Sequence, residues 1–158
     1  MALALAYSRA PLGVNAELVS VEVHLGNGLP QLSIAGLPET AVKESKDRVR
    51  GALVNSGFSF PARRIIINLA PADLPKDGAR YDLPIAIGVL AASEQIDART
   101  RAGYELAGEL ARANDTPVLV VSAHRFMLRH RVPDGATVDG PYHLADLDEV
   151  LGAIQQAC

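Results

Sequence analysis

The residues with the widest chemical range lie together at positions 70–84, Ala70-Pro71-Ala72-Asp73-Leu74-Pro75-Lys76-Asp77-Gly78-Ala79-Arg80-Tyr81-Asp82-Leu83-Pro84. Asp73, Asp77 and Asp82 offer the hard oxygen ligands that a divalent cation takes. Their spacing matches no compact cation loop, however, and Lys76 and Arg80 compete for the same carboxylates. Local chemistry alone therefore reads as an ion-pair network. The stretch runs from residues 64–69, a β-branched segment that reads as a buried strand, to residues 84–92, a small-residue segment that reads as a buried helix. A charged loop stiffened by three prolines between two core elements is a common place for function, and equally a connection that needs turns.

Other candidate chemistry is thinner. His24, His124, His130 and His143 include no pair three or four residues apart, so no helical metal pair exists. The phosphate-cradling G-x-x-x-x-G-K-[ST] is absent, as are G-x-G-x-x-G after a strand and the G-x-S-x-G nucleophile elbow. Ser93 and Ser122 have no recognisable activating partner. Two basic clusters could meet phosphates: Lys43, Lys46 and Arg50 on one helix side, and the run 124–131 with Arg125, Arg129 and Arg131. Glu39, Glu44 and Asp47 interleave with the first, and a solvated face accounts for both.

The elements that must position these groups follow from periodicity. Residues 3–8 read as a short first strand ended by 9–13. From 14 to 25, Val19, Val21, Val23 and Leu25 alternate with Ser20, Glu22 and His24, which predicts a half-exposed strand. Gly26-Asn27-Gly28 predicts a turn, with 32–35 returning antiparallel as a hairpin partner. A helix is expected over 41–56, with Thr40 as its N-cap and Val42, Val49, Ala52 and Leu53 as its apolar stripe. Gly57 then serves as the left-handed residue after its end, followed by Phe58. Beyond the 84–93 helix, strands are expected at 104–110 and 118–121. A brief helix at 123–129, a turn-rich stretch through 133–141 and an amphipathic helix at 146–157 complete the chain. The fold class is α+β, one domain over residues 1–158.

Composition agrees with a globular protein: 158 residues, 49% hydrophobic and 21% charged. A formal charge of −3 argues against nucleic-acid binding by bulk electrostatics. Charge is uneven: residues 132–158 carry five acids and no Lys or Arg. Cys158 is the only cysteine, which rules out an intrachain disulfide or a thiolate metal cluster. No targeting or membrane segment is evident, so a cytoplasmic location is expected.

Four blocks carry a family resemblance: Gly36-Leu37-Pro38-Glu39-Thr40 with Val42-Lys43-Glu44 and Asp47-Arg48-Val49-Arg50; Asn55-Ser56-Gly57-Phe58 with Phe60-Pro61; Asn68 to Lys76 running into Tyr81-Asp82-Leu83-Pro84-Ile85-Ala86; and Gly108-Glu109-Leu110. In this order they resemble the N-terminal domain of the ComM/YifB family of magnesium chelatase-like AAA+ ATPases over residues 1–111. The resemblance implies a fold similar to ribosomal protein S5 domain 2, shared with Lon-type proteases. It further implies a hexameric ATPase acting on DNA, with helicase and branch-migration activity in natural transformation. ATP and magnesium would belong to the motor, which is not in this sequence, so no cofactor is expected in this chain. The implied partners are that motor, sister subunits and DNA, with no membrane.

Lon-like proteases carry their serine just after Pro-Lys-Asp-Gly. Pro75-Lys76-Asp77-Gly78 is intact here, but Ala79-Arg80-Tyr81 follows, and a permanently protonated guanidinium is neither nucleophile nor base. After Leu110 the chain also departs from the family, passing almost at once into 118–121, so that a strand-helix unit is missing. That unit carries the catalytic lysine in Lon-like proteins. The expectation is a non-catalytic domain for assembly, DNA or partner engagement, or regulation. Its contact surface would be Lys76, Asp77, Arg80, Tyr81 and Asp82, with Arg48 and Arg50 beside them. Arg125, Arg129 and Arg131 form the weaker patch. The alternatives are a stand-alone nucleic-acid or phosphate-binding module and, remotely, a residual Lon-like hydrolase.

Overall fold

The computed structural model describes residues 2–97, 106–109, 118–121 and 142–145. Strand β1 (Ala2–Leu12) and strand β2 (Asn15–Gly26) form an antiparallel hairpin in which Leu12 faces Asn15. The two-residue link is Gly13-Val14. Gly13 has φ 60° and Val14 does not share that region, the pattern of a II′ turn, which wants glycine first. β1 thus runs well past the expected 3–8. Pro11 fits because β1 is an edge strand, where a missing N–H leaves no ladder bond unmade.

The four-stranded sheet has the order β1-β2-β4-β3, with β3 at Gln31–Ala35 and β4 at Arg64–Ala70. The expected β2–β3 hairpin is not formed. β2 pairs antiparallel with β4, and β3 lies parallel to β4 on its far side. The apolarity of the strands explains the choice. Ile65, Ile67 and Leu69 make β4 the strand to bury centrally, whereas β3 alternates exposed with half-buried residues and suits an edge. The predicted alternation of β2 is as expected: Val19, Val21, Val23 and Leu25 all face the core.

Between β3 and β4 the chain forms α1 (Thr40–Lys43) and α2 (Ser45–Asn55), two helical pieces where one was expected. Thr40 is inside the first turn and does not cap it. Its carbonyl accepts from the Glu44 amide at 3.0 Å, and the preceding Glu39 makes no side-chain cap bond. Gly57 has φ 83°, and the Phe58 amide donates to the Leu53 carbonyl at 2.9 Å, the terminus the sequence predicts.

After β4 and its loop, one 3-10 turn (Ala79–Tyr81) leads into α3 (Asp82–Ala92). Every residue of α3 is buried. A helix apolar on all sides must be covered on all sides; α3 packs on β1 and β2, against α2, and against strand β5 (Ala107–Glu109). The close approach is built from small residues. Ala4, Ala6, Ser8 and Ala10 form the inner face of β1, and Gly88 sits over Val23 of β2. The Leu106 amide, just before β5, donates to the Tyr7 carbonyl of β1 at 2.7 Å.

A second, antiparallel sheet has the order β5-β6-β7, with β6 at Val118–Val121 as expected and β7 at Tyr142–Ala145, which the sequence did not suggest. The helices expected at 123–129 and 146–157, and the turn-rich stretch 133–141, lie outside the described residues. The whole is α+β.

Candidate functional site

The loop singled out by its chemistry is held by the backbone around it. Gly36 ends β3 with φ 99°, and a Cβ there would lie 1.9 Å from the Leu69 carbonyl oxygen, so only glycine lets this segment pass over β4. The chain beyond it, Leu37 to Glu39, runs parallel to the loop. The Lys76 amide donates to the Leu37 carbonyl at 3.3 Å, and the Glu39 amide to the Lys76 carbonyl at 3.0 Å. The Ala70–Pro71 peptide is cis. Lys76 turns inward, fully buried, and its ammonium donates to the Pro71 carbonyl. Desolvation lowers its pKa from the usual lysine value, against an opposing pull from Asp73.

Asp82 opens α3 and is also fully buried. Arg48, from the first turn of α2, meets it with two hydrogen bonds, Nε to Oδ2 at 2.6 Å and Nη2 to Oδ1 at 3.1 Å. The same Nη2 donates to the Ala41 carbonyl at 2.7 Å. One guanidinium thereby joins α1, α2 and α3. Tyr81, the last residue of the 3-10 turn, is buried with a hydroxyl that has no hydrogen-bond partner among the described residues. Its pKa is pushed up to about 12, chiefly by desolvation; Arg80 opposes this and Asp77 adds to it.

The seven expected contact residues therefore do not form one surface. Lys76, Tyr81 and Asp82 are internal, and the Arg48 side chain is only 13% exposed. The physical reason is that each is used inside the fold, to bind a carbonyl, to fill the core, or to pair one helix with another. Asp77 and Arg80 do reach solvent, 3.9 Å apart. Of the expected ion-pair network, this is the pair that forms within the loop among the described residues, since Lys76 turns to a carbonyl and Asp82 to α2. The three aspartates do not converge, and among the described residues no group of three His, Cys, Asp or Glu could hold a metal. No serine hydroxyl is bonded to a lysine amine among the described residues; Ser93 donates to the Val89 carbonyl at 2.8 Å. Arg125, Arg129 and Arg131 lie outside the described residues.

Arg50 stands elsewhere. Its guanidinium lies 5.5 Å from the centroid of the Phe60 ring. With Lys46, Arg63, Gln31 and Phe60 it lines an open groove of about 560 Å³ between the start of β3, the exposed side of α2 and the segment entering β4. Sequence spacing found Lys46 and Arg50 as helix neighbours. It missed Arg63, Phe60 and Gln31, because only the parallel β3–β4 pairing carries them to α2.

The fold is thus an α+β domain whose charged strand-to-helix loop is structural at its core and exposed at one corner. The sequence pattern of subunit ChlI of Mg-chelatase matches residues 21–117, and the chain belongs to that family. Over 111 residues it is 63% identical to YifB of Salmonella typhimurium and 60% identical to the competence protein ComM of Haemophilus influenzae. It is 41% identical to Rv2897c of Mycobacterium tuberculosis over the same length. These matches cover 70% of this chain, as a ComM/YifB N-terminal domain would, and the chain spans 22% of the length of each of these relatives.

Proposed function

We propose that this chain is the non-catalytic N-terminal domain of a ComM/YifB-type AAA+ ATPase, a DNA helicase and branch-migration motor of natural transformation. It serves assembly and regulation of a motor supplied by the rest of a longer, cytoplasmic protein, and adopts the S5-domain-2-like arrangement. ATP and magnesium act at that motor. One observation carries the reading: the loop keeps Pro75-Lys76-Asp77-Gly78 but spends its lysine on the Pro71 carbonyl, and it sets Arg80 where a nucleophile would stand. A loop arranged this way presents a contact corner, Asp77 with Arg80, on a rigid base.

The test is made in the full-length ATPase with Asp77→Ala and Arg80→Ala combined. The expected result is a several-fold loss of DNA-stimulated ATP hydrolysis or of hexamer formation, with the domain's own melting temperature unchanged. Wild-type hydrolysis and wild-type assembly in the double variant would overturn the reading.

A further inference from the structure

We infer that the groove between α2, β3 and the 60–63 segment is a binding site for a single strand of DNA. Lys46, Arg50 and Arg63 supply three cations, Phe60 a ring face and Gln31 an amide. Among the described residues none of the three cations is held in an ion pair, so each is available to a phosphate. Arg50 over Phe60 makes a flat, cationic aromatic platform of the kind on which unpaired bases stack.

The architecture favours a strand over a small phosphate. Among the described residues no glycine-rich loop lines the groove, and the Asp47 amide, in the first turn of α2, is already given to the Glu44 carbonyl at 3.2 Å, so no ring of backbone N–H groups is arranged to enclose one phosphate. It is an open groove of about 560 Å³ with an aromatic ring among its lining residues, a surface suited to unpaired bases, whose faces are exposed. Asp47 is the lining carboxylate among the described residues, and it sets the affinity low by repulsion. The net charge of −3 is no obstacle, because three cations are gathered around one groove. The inference rests on the proposed function only in taking the longer protein to act on DNA, and it can fail separately. Hydrolysis could depend on the Asp77–Arg80 corner while the groove binds nothing.

Fluorescence anisotropy of a labelled oligothymidylate with the 158-residue chain tests it. Binding at low salt is expected, with the logarithm of affinity falling by about 0.7 per phosphate contact per logarithm of salt. Arg50→Gln with Arg63→Gln should weaken it about tenfold or more and reduce that slope by about 1.4. Asp47→Asn should tighten it about two- to fivefold, a gain that misfolding cannot imitate. The site is overturned by absence of binding at low salt, or by binding unchanged in the double variant. It is also overturned by loss on changing Arg125, Arg129 and Arg131 instead. Equal competition by tripolyphosphate or polyglutamate, or tighter binding of a duplex, overturns the single-strand assignment.

Discussion

Arg48 and Asp82, thirty-four positions apart, meet in a two-pronged ion pair at 2.6 and 3.1 Å that fastens the first turn of α2 to the first turn of α3. The carboxylate is fully buried at a helix N-terminus, where the macrodipole also favours negative charge. Removing the guanidinium takes a countercharge and two hydrogen bonds away from that buried carboxylate, the costly way to break a buried pair. Arg48→Met is therefore expected to destabilise the domain by about 3 to 5 kcal/mol in urea unfolding. Arg48→Lys, which keeps charge but not the planar fork, should fall between Met and wild type. Glu44→Gln, which touches only the exposed 3.9 Å contact to Arg48, should cost about 0.5 kcal/mol or less. Equal losses for Arg48→Met and Glu44→Gln would refute the account.

Two glycines rank differently although both look like plain small residues. A Cβ at Gly88 would meet Val23 Cγ2 at 2.6 Å, a stiff β-branched neighbour in a packed core. Gly88→Ala gains helix propensity of about 1 kcal/mol but overpacks by about 1 to 3 kcal/mol, so a modest net loss is expected. At Gly36 the obstacle is the Leu69 backbone carbonyl at 1.9 Å, together with φ 99°. Gly36→Ala should therefore be much the worse of the two in thermal melts, and adding Val23→Ala should soften Gly88→Ala but leave Gly36→Ala unchanged. A Gly36→Ala protein as stable as Gly88→Ala would count against the observed crossing of β4.

What could be read in advance was local. The alternation of Val19 to Leu25, the β-branched 64–69 run and the left-handed Gly57 each announce an element through one periodicity or one backbone requirement. Pairing partners were not legible. Gly26-Asn27-Gly28 carries ordinary hairpin chemistry, but the competition for the central place in the sheet was decided by β4, more than thirty residues on. The site suffered in the same way. A run of charged residues in a proline-stiffened loop reads as surface, and nothing local reveals that Arg48 would arrive to take Asp82, or that Lys76 would turn back to Pro71. Arg63 and Phe60 became neighbours of Arg50 only through the β3–β4 crossover.

Lys76 illustrates a cost the fold bears for that inward turn. Burial lowers its pKa, so the unfolded chain holds the proton more tightly and the group subtracts stability at neutral pH. That penalty fades as pH rises toward the ordinary lysine value of 10.5. Lys76→Met removes the titrating group and the bond to the Pro71 carbonyl together. The expected signature is a wild-type minus variant difference in unfolding free energy that moves in favour of wild type between neutral pH and about 10. A difference flat across that range would mean that burial of the ammonium carries no such penalty.

Tyr81 works in the opposite direction. Its folded pKa of about 12 lies above the ordinary value of 10.0, so the native state keeps the proton after the unfolded chain has released it. The stability this contributes is fully present below pH 10 and is lost as pH climbs from 10 through 12. Each pKa unit corresponds to about 1.36 kcal/mol, which puts the full loss at no more than about 3 kcal/mol. Tyr81→Phe keeps the buried ring and deletes a hydroxyl without a partner among the described residues. The variant should match or exceed wild type at pH 7 by up to about 1 kcal/mol, and should lack the alkaline loss. Unfolding free energies of both proteins between pH 8 and 12 read this directly, because the other tyrosines cancel in the difference. Parallel pH curves for the two proteins would mean that the Tyr81 hydroxyl is not held neutral by its burial.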